Sequence, residues 1–275
     1  MPMNMKKTTA KGKIERFNLL AEGLDDSLRT IRVYLPPNYD TSLERYPVLY
    51  MHDGQNLFFN RETKYKNGSW QVHKTFDHFY QQNLGGFIVV GVNSSEQDRT
   101  NELSLLAIQK RYAMKDKDPK QALGREYEKF FTIELKNYID RHYRTNADIS
   151  YIGGSSMGGI SSLLIALRNP GLYQGALCFT PAGMIHYQKD IKWLFKSQIA
   201  KFNQLNIPLP KLYFMVGGVG LETIIKPFCD FAVPFLVSHG YEYNKNITYS
   251  YRSKALHIEK AWAKELPKAF IWLIE

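Results

Sequence analysis

Two kinds of hydrophobic pattern alternate along the chain. Short apolar runs such as YPVLYMH at 46–52 predict buried β-strands, whereas apolar residues three and four positions apart, as in EYEKFFTIELKNYIDRHY at 126–143, predict amphipathic helices. Strands are predicted near 13–19, 30–36, 46–52, 86–93, 148–154, 174–180, 211–217 and 246–252. Helices are predicted near 69–83, 126–143, 157–168, 224–239 and 258–273.

This alternation of strands and helices predicts an α/β protein. We expect a mostly parallel central sheet of about eight strands with helices on both faces, because parallel strands need crossover connections. No internal repeat or low-complexity linker divides the 275 residues, so a single domain over 1–275 is expected. A polar stretch at about 93–124 interrupts the alternation and is predicted to be an insertion or a lid-like segment.

The composition is that of a globular protein and excludes several classes. Hydrophobic residues make up 44% of the chain and aromatic residues 14%, which is too apolar for a disordered protein. No apolar run has the length of a membrane span, and the basic start lacks the apolar segment of a secretory signal, so a cytoplasmic protein is expected. Cys178 and Cys229 are too few for a disulfide framework or a zinc site, and we interpret both as core thiols.

The net charge of +10 is interpreted as a general property of the surface. Basic residues are spread along the chain, often beside acidic ones as in KDKDPK and IEKAWAKE, and no arginine-rich arm is present. An anionic substrate stays open as an alternative, but neither nucleic acid nor a membrane is expected as a partner. The sequence leaves the oligomeric state open, including a homo-oligomer.

The segment ISYIGGSSMGGISSLLIAL at 149–167 contains two adjacent serines among four glycines. Only Ser156 fits the pattern G-x-S-x-G, because the residue two positions after Ser155 is Met157 and not glycine. A strand before, a helix after and small flanking residues are what a nucleophile elbow requires. The pattern therefore predicts that Ser156 is a nucleophile; the alternative is a glycine-rich turn that only packs the helix against the strand.

A serine nucleophile needs a histidine base that is oriented by a carboxylate. In parallel sheets, catalytic groups lie at the carboxyl ends of the strands. His257 directly follows the last predicted strand and is the predicted base. Glu222 is the first carboxylate after the strand at 211–217 and is the predicted acid, with Asp230 as the alternative. This chemistry requires neither a metal nor an organic cofactor.

An oxyanion hole should complete the site with two backbone N–H groups. The N–H of Met157, the residue after the nucleophile, is predicted to be one donor. The N–H of Gln55, in the loop MHDGQNLFF after the third strand, is predicted to be the other. His52 and Asp53 in the same loop are interpreted as shaping it.

Two segments are expected to lie near this site and to contribute substrate contacts. The loop GQNLFFNRETKYKNGSW provides Gly54, Phe58 and Trp70 as candidate substrate-binding residues, although aromatic residues often belong to the core instead. In the polar stretch, Arg99 and Glu102 are interpreted as an ion pair that pins a loop.

Three blocks of the sequence resemble the putative esterase family of α/β-hydrolases, which includes esterase D-type, feruloyl, acetylxylan and enterochelin esterases. RVYLPPNYD…RYPVLYMHDGQNLFF resembles the first strands and oxyanion loop of that family. NYIDRHYRTNADISYIGGSSMGGISSLLIALRNPGLYQGALCFTPA is similar to its elbow block, and HIEKAWAKELPKAFIWL to its histidine and terminal helix. The resemblance covers most of the chain and implies the α/β-hydrolase fold.

The resemblance also implies a serine carboxylesterase that hydrolyses small acyl or aryl esters through an acyl-enzyme, with Ser156, Glu222 and His257 in the three roles. The expected partner is therefore a small-molecule ester. An acyltransferase on the same triad, a siderophore esterase of the enterochelin type and a non-catalytic binding protein of the same fold remain alternatives. The physiological ester is left open.

Overall fold

An eight-stranded sheet organises the computed structural model, which describes residues 10–24, 26–66, 68–112 and 123–275. The strands in this part of the chain are β1 Lys13–Leu20, β2 Leu28–Leu35, β3 Tyr46–His52, β4 Ile88–Val92, β5 Thr145–Ser155, β6 Gly175–Phe179, β7 Lys211–Gly217 and β8 Ile247–Arg252. All eight predicted strands are confirmed, with ends that differ by a few residues.

The helices connect the strands. They are α1 Val72–Gln81, α2 Arg99–Glu102, α3 Gly124–Lys129, α4 Lys136–His142, α5 Met157–Arg168, α6 Gln188–Leu205, α7 Glu222–Val237 and α8 Glu259–Ile274. Between α3 and α4 the backbone widens into a π-helical stretch, Phe130–Leu135. None of the helices in the described ranges is long and apolar enough to cross a lipid bilayer.

The strand order across the sheet is β1-β2-β4-β3-β5-β6-β7-β8. β2 pairs antiparallel with β1 and β4, whereas the strands from β4 to β8 pair parallel to one another. The predicted mostly parallel sheet is therefore confirmed. Since parallel strands end at the same edge, the segments that follow β3, β5, β7 and β8 meet there.

Alternating apolar side chains of the strands feed two hydrophobic cores, one on each face of the sheet. On one face, α1 and α8 contribute Phe76, Phe79 and Phe270, whose ring centroids lie 4.9 to 6.1 Å apart. On the other face, α5, α6 and α7 contribute fully buried side chains such as Leu163, Phe195 and Ile225. Helices thus cover both faces, as predicted.

One helix was not predicted, and one predicted segment is described only in part. The helix α6 was not predicted, although its apolar residues at 191, 194, 195, 199 and 202 follow the helical period. In the predicted lid-like stretch at 93–124, residues 113–122 lie outside the described residues. In the described part, Leu103, Leu105 and Ile108 are buried in the core, and the interpretation of the whole stretch as an insertion or lid stays a prediction.

Candidate active site

Ser156 lies at a sharp turn between β5 and α5. Its backbone has φ 57° and ψ −117°, a conformation that non-glycine residues rarely adopt. Two hydrogen bonds hold the turn: the Ser156 N–H donates to the Phe179 carbonyl at 3.0 Å, and the Ser156 carbonyl accepts from the Ala182 N–H at 3.0 Å. The turn thus presents the Ser156 side chain at the carboxyl edge of the sheet, as the elbow pattern requires.

The glycines around the serine are needed because the backbone is crowded there. A Cβ atom on Gly154 would lie 2.9 Å from the carbonyl carbon of Gly158, and one on Gly159 would lie 2.5 Å from the Phe179 carbonyl oxygen. Both separations are too short for a real side chain, so the close packing of β5, α5 and β6 depends on these glycines.

His257 and Glu222 are joined by a hydrogen bond at the same edge of the sheet. The His257 Nδ1 atom lies 3.0 Å from Glu222 Oε1, and the other carboxylate oxygen accepts the Gly217 N–H at 2.8 Å. An ionised carboxylate can only accept, so this hydrogen bond requires the proton on Nδ1, and in the neutral imidazole ring that tautomer leaves Nε2 as an acceptor. Glu222 is fully buried, and the His257 ring packs edge-on against Trp262 at 4.9 Å.

The alternative acid, Asp230, has other partners. Its two carboxylate oxygens accept hydrogen bonds from the Lys226 ammonium at 2.6 Å and from the Tyr249 hydroxyl at 2.9 Å. Glu222 is the first residue of α7 and directly follows the short loop after β7. Of the two candidate acids, Glu222 is the one that contacts His257.

Ser156 and His257 line the same pocket, whose volume is about 140 Å³. Both residues belong to the described part of the chain, where no hydrogen bond joins the Ser156 hydroxyl to the imidazole ring. Such contacts often tighten only when a substrate is bound. The remaining lining residues include Asp53, Asn56, Tyr65, Arg99, Glu259 and Trp262.

The candidate oxyanion donors lie next to this pocket. Met157 begins α5, so its N–H belongs to the first turn, which has no acceptor within the helix. Gln55 lies in a single 3-10 turn, and its backbone N–H has no acceptor among the described residues. Its side-chain amide exchanges two hydrogen bonds with Ser94, from Nε2 to the Ser94 hydroxyl and from the Ser94 N–H to Oε1, which fixes the orientation of the side chain.

The three candidate substrate contacts from the oxyanion loop do not line the pocket. Phe58 is fully buried, and Trp70 is 3% exposed and packs against Trp262 and Phe179 at ring distances of 5.6 and 5.2 Å. Gly54 packs on the strand β4, where a Cβ atom would lie 2.7 Å from the Gly91 carbonyl carbon. None of the three lines this pocket, and all three are buried, so the prediction that they contact substrate stays a prediction.

A buried ion pair connects two loops at the rim of the pocket. Arg99 donates two hydrogen bonds to Asp53, from Nε at 2.6 Å and from Nη2 at 2.7 Å, and the Ser94 hydroxyl donates a third at 2.9 Å. Burial favours a higher pKa for Asp53, but the charge and hydrogen bonds of Arg99 and Ser94 outweigh it and lower the pKa below 3.8. Arg99 does pin a loop, but its partner is Asp53; Glu102 pairs instead with Arg29.

The side chain of His52, the neighbour of Asp53, does not line the pocket. Its side chain is 1% exposed, and its Nδ1 atom lies 2.8 Å from the Tyr127 hydroxyl. Burial lowers the pKa of His52 to about 3, so the ring is neutral near neutral pH. His52 therefore shapes the loop, as interpreted from the sequence.

Comparison with known proteins identifies the family. A family model described as "Putative esterase" matches residues 24–273. The chain belongs to that family. Family membership supports the prediction of a carboxylic ester hydrolase.

Individual relatives are more distant. "Uncharacterized protein YbbA" of Bacillus subtilis (strain 168) is 23% identical over 148 residues, which are 53% of this chain and 53% of that protein. The chain thus spans about half the length of that curated relative. A solved structure described as BES protein from Bacillus cereus is 16% identical with a TM-score of 0.72 and covers 94% of each chain. A ferulic acid esterase, also 16% identical, has a TM-score of 0.68 over 96% of this chain and 98% of its own. These likenesses confirm the α/β-hydrolase fold.

The lining residues that the sequence did not indicate include Tyr65, Glu259 and Trp262. Glu259 lies two positions after His257, at a point where an acid is also favoured simply by the start of a helix. Tyr65 lies in a loop with no periodic pattern, and Trp262 looks like an ordinary core residue of α8. Only the fold brings these three side chains to the pocket.

Proposed function

We propose that the protein is a serine carboxylesterase with Ser156 as nucleophile, His257 as general base and acid, and Glu222 as the residue that orients His257. The observation that carries the proposal is the convergence of two independent features on one pocket. One is the strained turn that presents Ser156, and the other is the histidine whose Nδ1 proton is fixed by a buried carboxylate.

The reaction would proceed through an acyl-enzyme. The Ser156 hydroxyl oxygen attacks the ester carbonyl carbon while His257 Nε2 accepts the hydroxyl proton. The N–H groups of Met157 and Gln55 stabilise the oxyanion. The bond to the alcohol oxygen then breaks as His257 returns the proton to it, and the alcohol leaves. Water, deprotonated by the same histidine, attacks the acyl-enzyme and releases the carboxylic acid.

The size of the pocket supports a small group at the reacting end of the substrate. Its volume of about 140 Å³ is well below the roughly 300 to 1,000 Å³ of pockets that enclose drug-sized ligands. We therefore expect short acyl or compact aryl groups inside, with the rest of the ester outside.

The test compares hydrolysis of p-nitrophenyl acetate and butyrate by the wild type, Ser156→Ala and Ser155→Ala. Ser156→Ala should lose at least about 10³-fold in kcat and should no longer be labelled by a fluorophosphonate. Ser155 is the matched control, because it is an adjacent serine at the end of β5 that the elbow pattern does not select. Full activity in Ser156→Ala would refute the proposal.

An acyltransferase would use the same triad but would pass the acyl group to an alcohol instead of water. Product analysis with an added alcohol distinguishes the two activities. A new ester as the main product would indicate a transferase, whereas free acid alone supports the hydrolase.

A further inference from the structure

Glu259 places a carboxylate in the pocket that Ser156 and His257 share. It is the first residue of α8, two positions after His257, and its side chain is only 5% exposed. Its carboxylate accepts a hydrogen bond from its own backbone N–H, but among the described residues no basic side chain forms an ion pair with it. A carboxylate that is almost fully buried without a counter-charge is uncommon, because desolvation is costly.

The other buried acids show how unusual Glu259 is. The acidic side chains that are buried in the described part of the chain are Asp53, Asp77, Glu102, Glu128, Glu222, Glu259 and Glu265. All except Glu259 have a side chain of another residue as partner: the pairs are Asp53–Arg99, Asp77–Tyr34, Glu102–Arg29, Glu128–Arg168, Glu222–His257 and Glu265–Arg252. Glu259 also differs from most of these residues in facing a pocket where a ligand can reach it.

The charges that surround Glu259 leave the pocket negative. Asp53 and Arg99 line the pocket and neutralise each other as an ion pair, and among the described residues His257 is the only other basic side chain in the lining. Burial raises the pKa of Glu259 above 4.5, and repulsion from Asp53 adds to the increase, although the hydrogen bond from the residue's own backbone N–H and the His257 and Arg99 side chains oppose it. An additional positive group in the pocket would compensate this charge.

Two aromatic rings line the same pocket. Trp262 lies one turn further along α8 and packs against the His257 ring, and Tyr65 lines the pocket from the loop before α1. The faces of such rings attract cations. A carboxylate beside aromatic rings is a combination suited to a positively charged amine.

We propose that Glu259 binds an ammonium group of the substrate, so that the preferred esters carry a positively charged nitrogen a few bonds from the scissile carbonyl. This inference rests on the proposed esterase function and specifies its substrate class. The nitrogen could belong to the acyl part or to the alcohol part of the ester, and each has its own arm in the experiment.

Two other roles for Glu259 make different predictions. A carboxylate in the first turn of a helix can stabilise the helix, which would not change the choice of substrate. A carboxylate near His257 could stabilise the imidazolium during the reaction, which would affect all esters equally. Only binding of an ammonium group makes the effect depend on substrate charge.

The experiment measures kcat/KM for two pairs of esters of matched shape. Phenyl 3-aminopropanoate and phenyl butanoate test the acyl side, and 2-(trimethylammonio)ethyl acetate and 3,3-dimethylbutyl acetate test the alcohol side. In the wild type we expect the charged member of one pair to be preferred by about 10- to 100-fold, a range typical of a hydrogen bond to a charged group. In Glu259→Gln that preference should fall at least tenfold.

The control is Glu96→Gln, which removes one negative charge from an exposed position just before α2 and should keep the preference. A second measurement uses the wild type itself: propylammonium chloride should inhibit butanoate hydrolysis competitively, and sodium chloride at equal ionic strength should not. In Glu259→Gln this inhibition should weaken at least tenfold. The inhibition constants of propylammonium for the wild type and for Glu259→Gln test the ammonium site even if the variant has reduced activity.

Three results would overturn the inference. If the wild type hydrolyses both members of each pair equally, the esterase function stands and the ammonium site does not. If Glu259→Gln loses the same factor on charged and neutral esters, the residue acts on His257 or on the fold. If the wild type hydrolyses none of the esters and is not labelled by a fluorophosphonate, the proposed function and the inference fail together.

Discussion

Glu222 holds His257 through one carboxylate oxygen and the end of β7 through the other. Its Oε1 atom lies 3.0 Å from His257 Nδ1, and its Oε2 atom accepts the Gly217 N–H at 2.8 Å. The carboxylate that orients the His257 base is therefore itself held in place by the sheet. A Cβ atom on Gly217 would lie 2.4 Å from the Ala255 carbonyl oxygen and 2.7 Å from the Glu222 Cγ atom, so these close contacts also explain why β7 ends in glycine.

Glu222→Gln should lower kcat by about 10³- to 10⁴-fold with little change in KM. The amide nitrogen of glutamine can donate to Nδ1, which favours the imidazole tautomer with the proton on the wrong nitrogen. Steady-state kinetics with p-nitrophenyl butyrate measures the effect. Asp230→Asn is the matched control, because Asp230 contacts Lys226 and Tyr249 and not His257. A large loss in Asp230→Asn with an active Glu222→Gln would reverse the assignment of the acid.

The ion pair between Asp53 and Arg99 should stabilise the fold at the rim of the pocket. Asp53→Asn leaves a guanidinium without its counter-charge, and we expect a loss of about 1 to 3 kcal/mol in the free energy of unfolding, since the Arg99 side chain is still 29% exposed. Urea denaturation of the two single variants, Asp53→Asn and Arg99→Met, and of the double variant gives the coupling energy.

The surface pair Lys245–Glu242 is the control for this measurement. Its side chains are 69% and 62% exposed, so removing it should cost less than about 0.5 kcal/mol. The pKa of Asp53 is lowered in the folded state, so the stabilisation by its ion pair is present above pH 4 and is lost as the pH falls through the folded-state pKa. Equal effects of the two pairs at pH 7 would contradict a structural role for Asp53–Arg99.

The sequence was sufficient for the sheet and for the residues that chain order selects. Period-two and period-3.6 patterns gave the strands and most helices, and the rule that catalytic groups follow parallel strands led to Ser156, Glu222 and His257. These predictions depend on local sequence pattern and on chain order, both of which can be inferred directly from the sequence.

Side-chain contacts between segments that are distant along the chain could not be predicted from the sequence in the same way. Phe58 and Trp70 are predicted to contact substrate because they belong to the loop that carries the oxyanion donor. Only the packing in three dimensions shows that both side chains are buried in the core. Conversely, Glu259 looks in the sequence like any acidic residue at the start of a helix. Its lack of an ion-pair partner becomes visible only when all the residues of the pocket are brought together. Arg99 likewise could be expected to form an ion pair, but not specifically with Asp53.

Two buried histidines should make the protein less stable as the pH falls below neutral. Burial lowers the pKa of His52 to about 3 and that of His186 to about 4, whereas both residues titrate near 6.5 when the chain is unfolded. Between pH 6.5 and 4 the unfolded chain therefore binds protons that the folded chain does not, and the free energy of unfolding decreases. Urea denaturation between pH 7.5 and 4.5 measures the slope.

The variant His186→Gln separates this effect from general acid destabilisation. Removing one of the two groups should reduce the slope by up to about 1.4 kcal/mol per pH unit over this range. NMR provides the direct check, because the imidazole signals of His52 and His186 should not shift between pH 8 and pH 5. A transition near pH 6.5 for either ring in the folded protein would show that it is not desolvated.

Gly159→Ala should destabilise the protein although it lies within α5. In an exposed helix, alanine in place of glycine stabilises by about 1 kcal/mol. Here the added methyl group would lie 2.5 Å from the Phe179 carbonyl oxygen, the atom that also accepts the Ser156 N–H, so the clash acts directly on the elbow. We expect a net loss of about 1 to 3 kcal/mol in the free energy of unfolding, together with lower esterase activity.

Ser161→Ala, two residues further along α5, is the matched control for Gly159→Ala. Ser161 is fully buried, and its hydroxyl has no hydrogen-bond partner among the described residues. Replacing it by alanine removes a desolvated polar group and improves helix propensity, so the melting temperature should stay the same or rise. If both variants were more stable than the wild type, α5 would tolerate a shift away from β6, and Phe179 could not be what fixes the position of Ser156.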